Sequence, residues 1–281
     1  MSATPGPRIS PTDRTVILRH FLPQARSVDM GHGWTWISSG WSLFTRAPRL
    51  WLGMIAVFLI VFLIMCVIPF VLVFLPVFVA GLTIASRTID EGGQPQFVQL
   101  FAGFKHRFGQ LVLMGVIATV LSIAIPIAII AVTGTEVFTD ISSNSSPEVL
   151  VAAAQTVILA LLIMLALTLP LVMATWFAPA LAALHELGVW ASMKASFVGC
   201  LKNMLPFLVY GLIALLALIP FVLALAVVWP AGITQAPLFA LTLGNLFSLL
   251  AATALLVGML ALTATLAASI YTSYRDIYFA E

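Results

Sequence analysis

The chain has 281 residues, of which 62% are hydrophobic and 8% charged, and its mean hydropathy is +1.15. Soluble domains carry about 25% charged residues, so most of this chain belongs in lipid. A net charge of +2, with basic residues placed mostly singly, excludes a surface that tracks nucleic-acid phosphates. With 4 His and 10 acidic residues, no zinc spacing, phosphate-binding glycine loop or nucleophile with a His and carboxylate can be assembled; no enzyme, metal or cofactor is expected.

In chain order, residues 1–29 are polar to mixed, carry Arg8, Arg14, Arg19 and Arg26, and lack the apolar core of a signal peptide. They read as a flexible cytoplasmic segment ahead of an integral membrane domain over 30–281. Apolar blocks follow at 50–86, 111–132, 150–184, 204–228 and 238–274. The first contains Pro69 and Pro76 and is too long for one crossing of about 30 Å, so it suits two helices turning near Pro69. The fold class expected is all-α, a polytopic membrane protein of six transmembrane helices arranged as three hairpins. The fourth and sixth spans exceed the required length, and each is expected to begin with an interfacial or tilted segment. An alternative splits the last block into two spans.

Orientation follows from the loops. With the amino terminus inside, all 12 Lys and Arg fall in cytoplasmic segments, while the connections at Pro69, 133–149 and 229–237 hold none. Both termini are then cytoplasmic, in a bacterial inner membrane.

Before the first, third and fifth spans, large apolar groups recur at helical spacing: Ile37, Trp41, Phe44; Phe97, Phe101, Phe104; Met193, Phe197, Cys200. Two places further on stand Arg46, His106 and Lys202. The three series superimpose without a gap and predict one unit used three times, an amphipathic helix in the headgroup layer leading into a hairpin. The aromatic and basic residues common at any membrane interface are the alternative source of this pattern. Candidate lipid-headgroup or interfacial residues are therefore Trp41, Phe44, Arg46, Phe101, Phe104, Lys105, His106, Arg107, Phe197 and Lys202. The cluster Lys105-His106-Arg107 suits anionic headgroups and serves topology equally.

The middle of every span lacks Asp, Glu, Lys, Arg and His, which counts against proton- or ion-coupled transport. Prolines at 69, 76, 126, 170, 179, 206 and 220 interrupt or flank spans and free carbonyls there. His185 and Glu186 are adjacent and cannot face each other on a helix. Cys66 and Cys200 fall in a span and on the cytoplasmic side, too far apart for a disulfide. Ala261 with Thr265, and Ala264 with Ala268, offer small residues for close helix packing.

Gly33-Trp34-x-Trp36, Leu100-Phe101-Ala102-Gly103-Phe104, Phe177-Ala178-Pro179-Ala180, Leu205-Pro206-Phe207-Leu208-Val209-Tyr210-Gly211 and the ending Tyr271-x-x-Tyr274-Arg275-Asp276-Ile277 resemble a family of bacterial six-helix integral membrane proteins of unknown function. The resemblance spans about residues 30–279. More distantly, the layout is similar to the membrane domain attached to some glycerophosphodiester phosphodiesterases, whose catalysis lies in a separate soluble domain. It implies a fold and no catalytic residue. A structural role for Tyr271, Tyr274, Arg275 and Asp276 is expected, with Arg275 and Asp276 fixing the carboxyl terminus against a neighbouring loop. The expected function is a non-enzymatic scaffold or accessory subunit that organises lipid, with anionic lipid a candidate partner, or a membrane complex. The alternative is a transporter or export channel for an apolar or amphipathic solute.

Overall fold

Prolines set the first breaks. The helix α1 (His32–Arg46) stops at Ala47, and Pro48, which cannot donate a backbone hydrogen bond, opens α2 (Pro48–Val67). Ile68, restricted by the following Pro69, leaves the helical region, and a 3-10 segment (Pro69–Phe74) turns the chain into α3 (Leu75–Asp90). A second 3-10 segment (Phe97–Phe104) precedes α4 (Phe108–Thr133). Then come α5 (Pro147–Trp176), α6 (Ala178–His185), α7 (Val189–Lys202), α8 (Met204–Ile233) and α9 (Leu243–Tyr278). This computed structural model describes residues 21–133, 146–233 and 243–280. Among them the only extended pairing is an isolated antiparallel bridge between Phe21 and Phe279.

Among the described residues six helices are long and apolar enough to cross a membrane, as the sequence predicts. The last block is one continuous helix of 36 residues from Leu243, which removes the alternative of two spans there. The extra length of the fourth block lies at its far end rather than its beginning, as the separate helix α6. Between α5 and α6 the hydroxyl of Ser196 on α7 sits where the backbone bond from Phe177 to Met173 would run. It accepts from the Phe177 N–H at 2.9 Å and donates to the Met173 carbonyl at 2.6 Å. Both freed backbone groups are thereby satisfied, as a helix broken in lipid requires. The connection 134–145, with Glu136, Asp140 and the Asn144 sequon, lies outside the described residues.

The apolar faces differ from the expected series. On α1 the buried face is Gly33, Trp36, Gly40 and Leu43, with Phe44 at its edge, while Trp41 is exposed. The glycines explain the shift: a Cβ on Gly33 would meet the Pro206 carbonyl at 2.4 Å, and one on Gly40 the Thr265 carbonyl at 2.6 Å, so α1 lies backbone to backbone on α8 and α9. The middle series is 3-10 rather than α-helical, with Leu100 and Gly103 turned inward, consistent with three residues per turn. Gly81 and Gly103 allow this segment to lie directly on α3; their Cβ positions would fall 2.2 Å from the Leu100 carbonyl and 2.1 Å from the Val77 carbonyl.

The helix α9 touches α1, α2, α3 and α8, whereas α5 packs on α4, α6 and α7. The buried residues of α4 are Leu111, Met114 and Gly115, all in its first turns. Among the described side chains of α9, from Leu249 onward, those buried begin at Ala264. Most of the core therefore gathers at the end of the bundle where α1, α6, α7 and the last turns of α9 meet.

Candidate functional site

The end of α9 puts Tyr271, Tyr274, Arg275, Asp276 and Tyr278 in its last two turns, and between them these side chains reach α1, α3, α6, α7 and the amino-terminal segment. Asp276 accepts from Arg26 (2.5 Å), from the Trp36 indole N–H (2.7 Å) and bonds His32 Nδ1 at 2.7 Å. The Arg26 Nε–H also donates to the Asp276 backbone carbonyl at 2.6 Å. Arg275 donates to Asp90 on α3 at 2.5 Å, and Tyr271 to the same carboxylate at 3.1 Å. Tyr274 hydrogen-bonds His185 on α6, whose ring stacks on Phe21 at 3.6 Å. The Tyr278 hydroxyl donates to the Ala195 carbonyl on α7 at 2.8 Å.

Residues 21–29 are part of this hub, so the expected flexible segment does not extend to residue 29. Leu22 and Arg26 donate backbone bonds to the Tyr278 and Ile277 carbonyls. Asn203, wholly buried, accepts from the Val28 N–H and donates to the Arg26 and Gly199 carbonyls, using both amide donors on backbone. Lys202 caps the carbonyls of Gln24 and Ala25. Arg275 and Asp276 thus fix the terminus, but to α3, α1 and the amino-terminal segment and not to a neighbouring loop.

The other candidates divide by exposure. Trp41, Arg46, Phe104, Lys105 and His106 are exposed; Phe101 and Phe197 are half-buried against the core, and Phe44 is buried within it. Arg107 adopts φ 56° and donates to the carbonyl of Glu186, which itself sits at φ 55°. The two left-handed residues are thus tied together, and Arg107 directs one donor to this carbonyl while Lys105 and His106 remain exposed. Trp34 and Trp190, unmarked by the spacing argument, are 59% and 73% exposed beside this end. Cys66 and Cys200 are free, and burial pushes the Cys200 thiol up to about 12. Among the described residues no group of His, Cys, Asp and Glu is gathered for a metal.

Two of the cavities among the described residues bear on function. One of about 260 Å³ opens between α1 and the end of α9, lined by Arg26, His32, Thr35, Ser39, Arg275 and Asp276 among others. The other, about 230 Å³, is an apolar groove between α4 and α5 beside Pro126. Sequence spacing could not have found the hub: Arg26, Asp90, Ser196 and Asn203 stand far apart in the chain and carry no motif. Comparison with family models, with curated proteins and with solved structures found no match for this chain.

Proposed function

We propose that this chain is a non-enzymatic inner-membrane scaffold or accessory subunit, with both termini cytoplasmic, that holds lipid or a partner's helices against open apolar spans. The observation that carries this reading is the contrast in packing along the spans. Val120 and Ile127 on α4, and Leu161, Leu162 and Leu165 on α5, are each more than half exposed or close to it. Helices closed around a solute path would cover such positions from several sides, whereas helices that receive neighbours leave them uncovered. The order of elements supports the three-hairpin reading: a short segment with a buried glycine-bearing face precedes α2, α4 and α8 in turn. The exposed Trp34, Trp41 and Trp190 support interfacial placement of α1 and α7, since Trp concentrates at headgroup depth.

The test is extraction of the tagged protein with its native lipid in a polymer disc, followed by mass spectrometry of co-purifying proteins and lipids. A stoichiometric partner protein, lost when Leu161, Leu162 and Leu165 are changed to Ala, is the expected result. The competing reading, a transporter for an apolar or amphipathic solute, draws on the groove beside Pro126. Solute exchange by reconstituted vesicles above background would replace the scaffold with that reading.

A further inference from the structure

We propose that the cavity between α1 and the end of α9 binds a phosphate ester, either the headgroup of an anionic phospholipid or a small soluble ester. The Asp276 carboxylate is occupied by three donors, from Arg26, His32 and Trp36. A cation entering the cavity finds its one lining carboxylate already engaged.

Donors are left over. A guanidinium has five N–H groups. Arg26 uses two of its bonds on Asp276, and Arg275 spends one on Asp90. Both remain on the cavity wall, beside the Thr35 and Ser39 hydroxyls, neither of which donates a hydrogen bond among the described residues. Each lining guanidinium is ion-paired, Arg26 with Asp276 and Arg275 with Asp90 behind the wall, and each keeps N–H groups that these pairs do not use. Guanidinium N–H groups and hydroxyls lining one cavity suit the tetrahedral oxygens of phosphate, which accept charge-assisted bonds in pairs.

Size and depth narrow the ligand. At about 260 Å³ the cavity is at or below the small end of ligand sites, about 300 Å³, so a headgroup or a three-carbon ester fits and a nucleotide does not. Trp34 and Trp41, on the same helix as Thr35 and Ser39, are 59% and 52% exposed. Indole rings so placed favour headgroup depth.

The inference names a ligand for the lipid-organising side of the proposed function, and its test is blind to any protein partner, so the two fail separately. Full-length protein in detergent is titrated calorimetrically with sn-glycerol 3-phosphate, with glycerol as the control. In parallel, protein released from vesicles of equal phosphatidylglycerol and phosphatidylcholine is analysed by native mass spectrometry for retained lipid. The variant Ser39→Phe fills the cavity and leaves every ion pair intact; Thr35→Val removes one donor and is the milder check on folding.

Saturable binding of glycerol 3-phosphate, weakened about tenfold or more by Ser39→Phe, supports the site and shows that free ester can load it. Retention of phosphatidylglycerol over phosphatidylcholine, lost in Ser39→Phe without binding of the soluble ester, supports the site and assigns it to headgroups. The proposal is overturned if neither probe is preferred by the wild type. It is also overturned if both variants, with unchanged melting temperature, bind as the wild type does.

Discussion

The two ends of the bundle are built on different physics. At the polar end, Asp276, Asp90, Asn203 and Ser196 knit the amino-terminal segment, α1, α3, α5, α6 and α7 to one another and to α9 through side-chain hydrogen bonds, and glycine contacts bring backbones together. Along the rest of their length α4 and α5 leave most of their leucines, isoleucines and valines uncovered. Lipid tails are as apolar as leucine, so a span gains little from packing on a neighbour unless shape or polarity fits. A hub that satisfies polar groups can therefore hold spans whose remaining length stays open.

This contrast can be broken by substitution, with the largest loss expected at Asp276. Asp276→Ala removes the acceptor of Arg26, His32 and Trp36 together and should cost about 2–3 kcal/mol, because the Trp36 indole N–H is left buried without a partner and the Arg26 guanidinium, partly screened by solvent, loses its carboxylate. Thermal unfolding in detergent measures it; an unchanged melting temperature would show that the hub does not hold the fold. Next is a pair of glycines. A Cβ at Gly103 falls on the Val77 carbonyl, so Gly103→Ala should lose about 1–3 kcal/mol. Gly211 on α8 meets nothing, and Gly211→Ala should be neutral or up to about 1 kcal/mol more stable.

Smaller still is Leu165→Ala on α5, at a position 61% exposed, where a change within about 0.5 kcal/mol is expected. A loss comparable to that at Gly103 would mean that α5 is covered by its own chain. Least of all should happen at Cys200. Its thiol holds its proton to about 12 against an ordinary 9.0, so iodoacetamide at pH 8 should leave it unmodified until the protein is denatured. The sign for stability follows: between about 9 and about 12 the unfolded thiol ionises and the folded one does not, so stability falls as pH rises through that window. Rapid labelling at pH 8 in the folded state would place α7 outside the packed end.

The spans were legible because each is a run of apolar residues matched to a fixed thickness, and Pro48, Pro69 and Pro76 mark the breaks between them. The hub was only half legible. The ending with Tyr271, Tyr274, Arg275 and Asp276 stood out through the family resemblance, yet its partners come from residues about 90 to 250 positions away. Periodicity identifies which residues share a face and not which neighbour that face meets. It also favours large side chains, so Ile37, Trp41 and Phe44 drew attention on α1, where Gly33 and Gly40 decide the packed side. Ser196 and Asn203 had no signal at all, because one hydroxyl or amide becomes structural only where a backbone break lies opposite it.

The account is tested most directly by placing a photo-activated benzoyl-phenylalanine at Leu162 on α5 in living cells and mapping the adduct by peptide mass spectrometry. Leu162 is 58% exposed. Adducts to phospholipid or to another polypeptide, with none to α8 or α9 of the same chain, are the predicted result. A dominant internal adduct joining α5 to α8 or α9 would show that the spans close on one another, and the open frame would have to be abandoned.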